Sequence, residues 1–442
     1  MDHRSRPLFP IIVMACLSLA ALAQAAVDRA AAPPTLESLI AQGIQNSPGL
    51  RSLHYQIRAA EAMIAPAGAL PDPMLEIGLK DIPVGAGISL NRDTMSGLEV
   101  MVSQMVMPSA KRRLDRGMQA DMARMVRERY ADKRNDIVRR VTKAYREVQA
   151  MDEQIRITEQ NKQLAADMLA AAEASYATGK VMQQDVFMSQ VRLSQMVDML
   201  LAMRKERANA EVMLGEALTR PTGFTIGPLP PPERTPAAME AESLVAAAEA
   251  ASPQLLEMRV RVEQAEKQVR LAALGLKPDY TFSFAYMTRQ TVEMEPMSGD
   301  DMWSAAVGIN LPWVYRRDKT DQQRKSAAAA RCAAEADVAA MQNELAAMIR
   351  QRVNDIYSAD QQLALLDTGL LPQSEGAVAA ARSAYVVGKG SITAMLDSQM
   401  SFLNLQLQRS RLTAEREINL AELTYLIGKP GRPPTGGVAN GS

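Results

Sequence analysis

Histidine and cysteine are almost missing from this chain, with two of each among 442 residues. His3 and Cys16 fall in an N-terminal stretch that reads as an export leader, so the remainder keeps only His54 and Cys332. One thiol makes no internal disulfide, and one imidazole builds neither a zinc site nor a Ser-His-Asp set. No catalytic centre and no cofactor are expected, which sets aside an exported hydrolase. Net charge is missing too. Lys+Arg and Asp+Glu balance at 50 each, so the chain lacks the electrostatic footprint of a nucleic-acid binder. Aromatic residues are 4% of the chain, against 29 methionines. That balance suits long helices better than a compact aromatic core. Beyond the leader, no window holds the roughly 18 uninterrupted apolar residues of a membrane helix.

The leader is legible in its parts. Arg4 and Arg6 are basic, Leu8 to Leu22 is apolar, and "ALAQAAVD" offers small residues for cleavage after Ala25 or Ala26. A signal peptide over residues 1–26 is expected. Cys16 in "VMAC" offers lipidation as the alternative, but Met14 fits that motif poorly and the apolar run continues past the Cys. An exported chain without a membrane helix is periplasmic, secreted, or held in the outer membrane as a β-barrel.

What remains is built twice. "ASYATGKVMQQDVFMSQ" from Ala174 is echoed by "SAYVVGKGSITAMLDSQ" from Ser383, with Tyr176, Gly179, Lys180, Ser189 and Gln190 all repeated at an offset of 209. "NSPGLRSLHYQIRAAEA" from Asn46 is echoed by "ASPQLLEMRVRVEQAEK" from Ala251 at an offset of 205. Leu214-Gly215 answers Ile427-Gly428 at 213. A Pro/Gly-rich linker lies between the copies. The expected order is leader 1–26, first repeat 27–220, linker 221–236, second repeat 237–430 and a disordered tail 431–442.

Each copy reads as a helix, two strands, a very long helix and a long helix. The strands, over 73–81, 97–107, 279–288 and 301–311, alternate with a period of two. Leu75, Ile77 and Leu79 stand against Met74, Glu76, Gly78 and Lys80. Leu98, Val100, Val102 and Val106 stand against Glu99, Met101, Ser103 and Met105. In the second copy Tyr280, Phe282, Phe284 and Tyr286 share one face, as do Trp303, Ala305, Val307 and Ile309. Nine or ten tilted residues of this kind cross a bilayer as barrel strands. Trp303, Trp313, Tyr315 and Tyr280 sit near strand ends, where interfacial belts form.

The helices, paired into hairpins over 109–220 and 316–428, are long enough for coiled coils. Ser109 to Arg220 holds no proline. Ile137, Val141, Ala144, Val148, Met151 and Ile155 step by an average of 3.5, as do Val186, Ser189, Leu193, Met196, Leu200 and Met203. Gly179 and Gly388 stand where each long helix must stop, and Ser391 is a natural cap for the next. The two "Y-x-x-G-K" stretches are therefore tips of antiparallel helical hairpins.

In this order the segments "NSPGL", "GALPDPMLEIGL", "GLEVMVSQMVMPSAKR", "ASYATGK", "AYVVGKGSITAMLDSQ" and "AELTYLIGKP" make the chain similar to the TolC family of outer-membrane efflux channels, close to its CzcC/CusC-like heavy-metal branch. The resemblance spans about Thr35 to Pro430. It implies a mainly α fold with a β-barrel part: duplicated coiled-coil hairpins form an α-barrel, and four strands per chain join a trimeric, twelve-stranded outer-membrane β-barrel. It implies a homotrimer in outer-membrane lipid, reaching into the periplasm, with a periplasmic adaptor and an inner-membrane pump as partners and no nucleic acid. The tips meet the adaptor through Ala177, Thr178, Gly179 and Lys180, with Val387, Gly388, Lys389 and Gly390. The family also narrows its entrance with acidic residues after the second tip. Asp397 matches one such position, Ala394 departs from the other, and Asp185 stands at Ala394's place in the first copy.

The expected function is a passive duct for heavy-metal cations, of copper/silver type or divalent. Drug or small-molecule efflux and type I secretion stay open, as does, less well, a periplasmic coiled-coil adaptor, which normally carries one hairpin per chain. Met101 and Met105 fall on the polar face of a strand, and the loop "VEMEPMSGDDM" adds Met294, Met297 and Met302; thioethers suit soft Cu(I). Met118, Met122 and Met125, by contrast, recur at helical spacing, where Met fills gaps.

Overall fold

A computed structural model describes residues 34–84, 90, 93–220, 223–237, 239–291, 299–315 and 317–429. The leader with Cys16, the loop methionines Met294 and Met297, and the tail after residue 429 lie outside the described residues. In the first copy α1 (Leu36–Asn46), α2 (Pro48–Ala62) and a short α3 (Ile64–Ala67) lead to β1 (Met74–Lys80) and β2 (Gly97–Val106), then to α4 (Ser109–Ala177) and α5 (Gln183–Ala217). The second copy runs α6 (Ala241–Ala251), α7 (Pro253–Ala273), β3 (Tyr280–Arg289), β4 (Met302–Ile309) and a short α8 (Pro312–Tyr315). It ends with α9 (Arg317–Leu365), α10 (Leu371–Val386) and α11 (Ile392–Leu426).

The repeated Ser-Pro pair is a helix break. Proline keeps the residue before it out of helical geometry but fits the first turn of a new helix. Ser47 and Ser252 are both extended, with proline opening α2 and α7. Ser47 also caps α2, its Oγ accepting the Leu50 N–H at 3.2 Å.

The four strands form one antiparallel meander in the order β1-β2-β3-β4. Their register puts like with like. Leu75, Ile77 and Leu79 pair with Val102, Val100 and Leu98, which continue to Phe284, Tyr286 and Thr288. Tyr280, Phe282 and Tyr286 pair onward with Ile309, Val307 and Trp303. One face is thus almost wholly aliphatic and aromatic, with Phe284 and Trp303 stacked at 6.2 Å. Gln104 and Thr288 are the departures, and the Gln104 amide donates to the carbonyls of Pro71 and Met105. The other face carries Glu76, Glu99, Ser103, Thr281, Ser283 and Ser304 with the methionines. On it Ala285 and Met287 are buried, while Phe282, Phe284 and Tyr286 on the opposite face stay exposed. β1 and β4 leave both edges of the sheet open.

α4 has 69 residues, about 100 Å at 1.5 Å per residue. Ile137, Val141, Ala144 and Val148 form its buried seam against α5, as the 3.5 step predicts. Past Val148 the burial departs from that expectation. Met151 and Ile155 are only half-buried, and the covered line runs through Gln154, Ile157, Ala165, Met168 and Ala172 instead. The reason is a change of neighbour. Ile157 and Ala165 pack with Met196, Leu403 and Leu407, so α4 there faces α11 as well as α5. In α9, Leu345, Ile349, Ile356 and Leu363 are fully buried at heptad spacing. Truncating one of them to Ala costs about 2–5 kcal/mol.

The second long helix is not continuous. Leu366–Leu370 is a π-helical turn between α9 and α10. Pro372 has no N–H for the carbonyl four residues back and its ring crowds it, and widening the turn relieves both. Asp367 in this turn accepts from Arg409 of α11 at 2.6 Å and from Arg234 of the linker at 2.5 Å.

Buried charge ties the linker to both copies. Asp152 of α4 accepts the Leu229 N–H at 2.9 Å and pairs with Arg207 of α5 at 2.5 Å. Glu417 of α11, almost fully buried, accepts the N–H of Thr235 at 3.0 Å and its hydroxyl at 2.7 Å, beside Arg416 at 2.6 Å. Farther along, Tyr425 of α11 donates to Asp132 of α4 at 3.0 Å and receives the Gln254 amide of α7 at 2.8 Å. Burial pushes the Asp132 carboxyl up despite these bonds.

Candidate functional site

The two hairpin tips share one backbone solution. Gly179 and Gly388 both take φ 72°, the left-handed region that suits glycine. The Gly179 N–H donates to the Tyr176 carbonyl at 2.9 Å and the Lys180 N–H to Ser175 at 3.0 Å. At the second tip Gly388 donates to Tyr385 at 3.0 Å and Lys389 to Ala384 at 2.9 Å. These bonds satisfy carbonyls that the helix ends leave free.

The restart differs between tips. Ser391 caps α11, its Oγ accepting the Ala394 N–H at 3.2 Å. The first tip has Met182 there, and Asp185 reaches back to accept the Met182 N–H at 3.3 Å. Asp185 is therefore engaged in starting its own helix, where the helix dipole also favours a carboxylate.

Both tips are exposed, and so are Lys180 and Lys389. Val386 and Val387 beside the second tip are 77% and 66% exposed. Behind them an apolar cluster of Met168, Ile392, Met395 and Leu396, with Met188 and Tyr385 against it, holds the hairpins together. Burial pushes the Tyr385 hydroxyl up, with the nearby Asp185 charge adding to it.

Asp397 lies one turn past the second tip, and its side chain is 67% exposed. It is not alone. Arg192 Nη2 of α5 stands 3.4 Å from its Oδ1, a link between the two hairpins. The predicted carboxylate at this level therefore carries a guanidinium beside it. The sequence held no signal for this pair, because Arg192 and Asp397 are neighbours only through the packing of two distant helices.

Met101 and Met105 stand on the polar face of the sheet. Met294 and Met297 lie outside the described residues. Among the described residues, no group of three or more His, Cys, Asp or Glu side chains is placed to hold a metal ion, and no helix is long and apolar enough to cross a membrane.

Comparison with known proteins agrees with this geometry. The family described as outer membrane efflux protein matches residues 39–220 and 244–429. Over 437 residues the chain is 23% identical to the outer membrane protein TolC of Vibrio cholerae serotype O1, covering 96% of this chain and 94% of that protein. The crystal structure of VceC, an outer membrane protein of Vibrio cholerae, gives a TM-score of 0.74 at 17% identity, over 90% of this chain and 97% of that one. CusC, studied for folding and transmembrane channel formation, gives 0.74 at 14% identity, over 89% and 91%. The fold is thus that of outer-membrane channels with a helical barrel and a duplicated architecture.

Proposed function

This chain belongs to the outer membrane efflux protein family, and we propose that it is the passive exit duct of a tripartite efflux system in the outer membrane, working as a homotrimer. One observation carries the reading. The sheet has a lipid-type face, a polar face and two open edges, and it sits at one end of two long hairpins. Four strands are too few to enclose a water-filled lumen, and open edges ask for partners. Three copies supply both.

At the far end, Gly179, Lys180, Gly388 and Lys389 meet a periplasmic adaptor that connects the duct to an inner-membrane pump. The exposed Val386 and Val387 give that contact apolar surface. Asp397 with Arg192, and Asp185 at the start of α5, line the entrance. The cargo is a heavy-metal cation, and the protein moves it without a catalytic step. Purified trimers inserted in planar bilayers should pass K+ current in steps of uniform size. Absence of any conductance from correctly assembled protein would overturn the duct.

A further inference from the structure

Every methionine of the sheet lies on its polar face, and none on the lipid-type face. They form a connected path. Met74 of β1 pairs with Ser103, which makes it a diagonal neighbour of both Met105 and Met101 on β2. Met101 pairs with Ala285 and is therefore diagonal to Met287 on β3. Met287 pairs directly with Met302 on β4. Direct neighbours on one face stand about 4.5–5.5 Å apart and diagonal ones about 7–8 Å. A thioether arm with three rotatable bonds reaches across either distance. The path runs from Met105 near the helical end of the sheet to Met302 near its loop end.

A filler role does not account for this placement. Met287 is buried against Gly97, but apolar filler belongs with the leucines, valines and phenylalanines of the opposite face, and Met74, Met105 and Met302 are 65%, 45% and 49% exposed among serines, threonines and glutamates. The backbone also makes room for the path. A Cβ on Gly97 would stand 2.8 Å from Met287 Cε and 2.7 Å from the Thr288 carbonyl oxygen, so only glycine leaves Met287 its place. Glu76 stands opposite Met101 and adds negative charge along the path, while Glu99, opposite Met287, is paired with Lys80 at 2.6 Å.

We propose that this thioether ladder binds soft monovalent cations of the Cu(I) and Ag(I) class as they cross the outer membrane. Thioethers select such ions over hard ones. Neutral donors repeated in series hold an ion weakly at many places, which is what conduction needs. The ladder rests on the duct reading and names the class of its cargo.

The test uses exported, full-length protein carrying Cys332→Ser, which removes the exposed thiol, in planar bilayers with nitrate salts and Ag+ as the probe. Ag+ should reduce the K+ current reversibly, and X-ray absorption at the silver edge should show sulfur neighbours. Combined Met101→Leu, Met287→Leu and Met302→Leu should weaken the block about tenfold and leave K+ conductance unchanged. Undiminished block in that variant, or a silver shell of oxygen alone in the parent, overturns the ladder. If the triple variant does not assemble, single Met101→Leu and Met302→Leu carry the same comparison with smaller shifts. Loss of K+ conductance in the parent overturns the duct instead, and the silver spectrum then still decides whether the ladder binds.

Discussion

Nothing lies within 4 Å of where a Cβ would stand on Gly388, yet its φ is 72°. A side chain there meets no clash, so the cost of substitution is conformational alone, about 1–2 kcal/mol for an ordinary residue. Gly388→Asn should be tolerated, because Asn enters the left-handed region readily, whereas β-branched Gly388→Val should not. Hydrogen exchange at the tip amides should rise in the Val variant only, and cells relying on it should lose efflux while keeping outer-membrane trimer. Equal behaviour of the two variants would show that left-handed geometry at the tip is not what matters. Arg192 and Asp397 make the second residue-scale case. Exposed pairs contribute only about 0–1 kcal/mol, so the pair matters for charge more than for stability. Arg192→Ala should strengthen block by trivalent cations added from the tip side, and Asp397→Ala should weaken it several-fold. If both variants shift block in the same direction, the pair does not set the field at the entrance.

Among the elements, the π turn concentrates the difference between the two copies. Burial pushes the Asp367 carboxyl up, but Arg409 and Arg234 outweigh it and hold the group below the usual carboxylate range. A depressed carboxylate stabilises the fold above its unfolded pKa and loses that contribution as pH falls through its folded pKa. The clamp should therefore persist through mild acid and fail only below the ordinary range. Asp367→Asn should mimic that failure at neutral pH, raising hydrogen exchange over residues 366–370 and the linker near Arg234, with the seam at Leu345 and Ile349 unchanged. An unaltered exchange pattern would mean that Pro372 alone maintains the turn. The strands and the first seam of α4 were legible because each has one burial period and one kind of neighbour. Residues such as Ile77 and Val100 alternate, and Ile137 to Val148 keep the 3.5 step. Legibility fails where neighbours change. Met151 and Ile155 continue the step but not the burial, because α11 joins α5 against α4. The π turn was not expected within 316–428, although Pro372 just after it is a local helix-breaking signal. At the candidate site, the turning glycines and Ser391 were visible as local chemistry. Arg192 beside Asp397 was not, since only tertiary packing brings them together.

For the whole molecule the open edges of β1 and β4 decide what one chain can be. Each edge presents unpaired backbone donors and acceptors, and a face of leucine, valine, phenylalanine and tryptophan lies exposed beside them. In a bilayer core neither edge finds water, so each must find a strand. Within one chain β1 and β4 are separated by the two central strands, and closure between copies makes β1 of one the neighbour of β4 of the next. Cysteine pairs test that seam directly. In a Cys332→Ser background, Gly78→Cys combined in turn with Ser304→Cys, Ala306→Cys or Gly308→Cys places both thiols on the polar face, whatever the stagger of the strands. For at least one pair, oxidation in the membrane should give covalent dimers and trimers that stop at three chains, and light scattering in mild detergent should give the mass of three. A ladder continuing past three would mean that the edges meet without closing. Monomers in both measurements, for all three pairs, would mean that they do not meet at all.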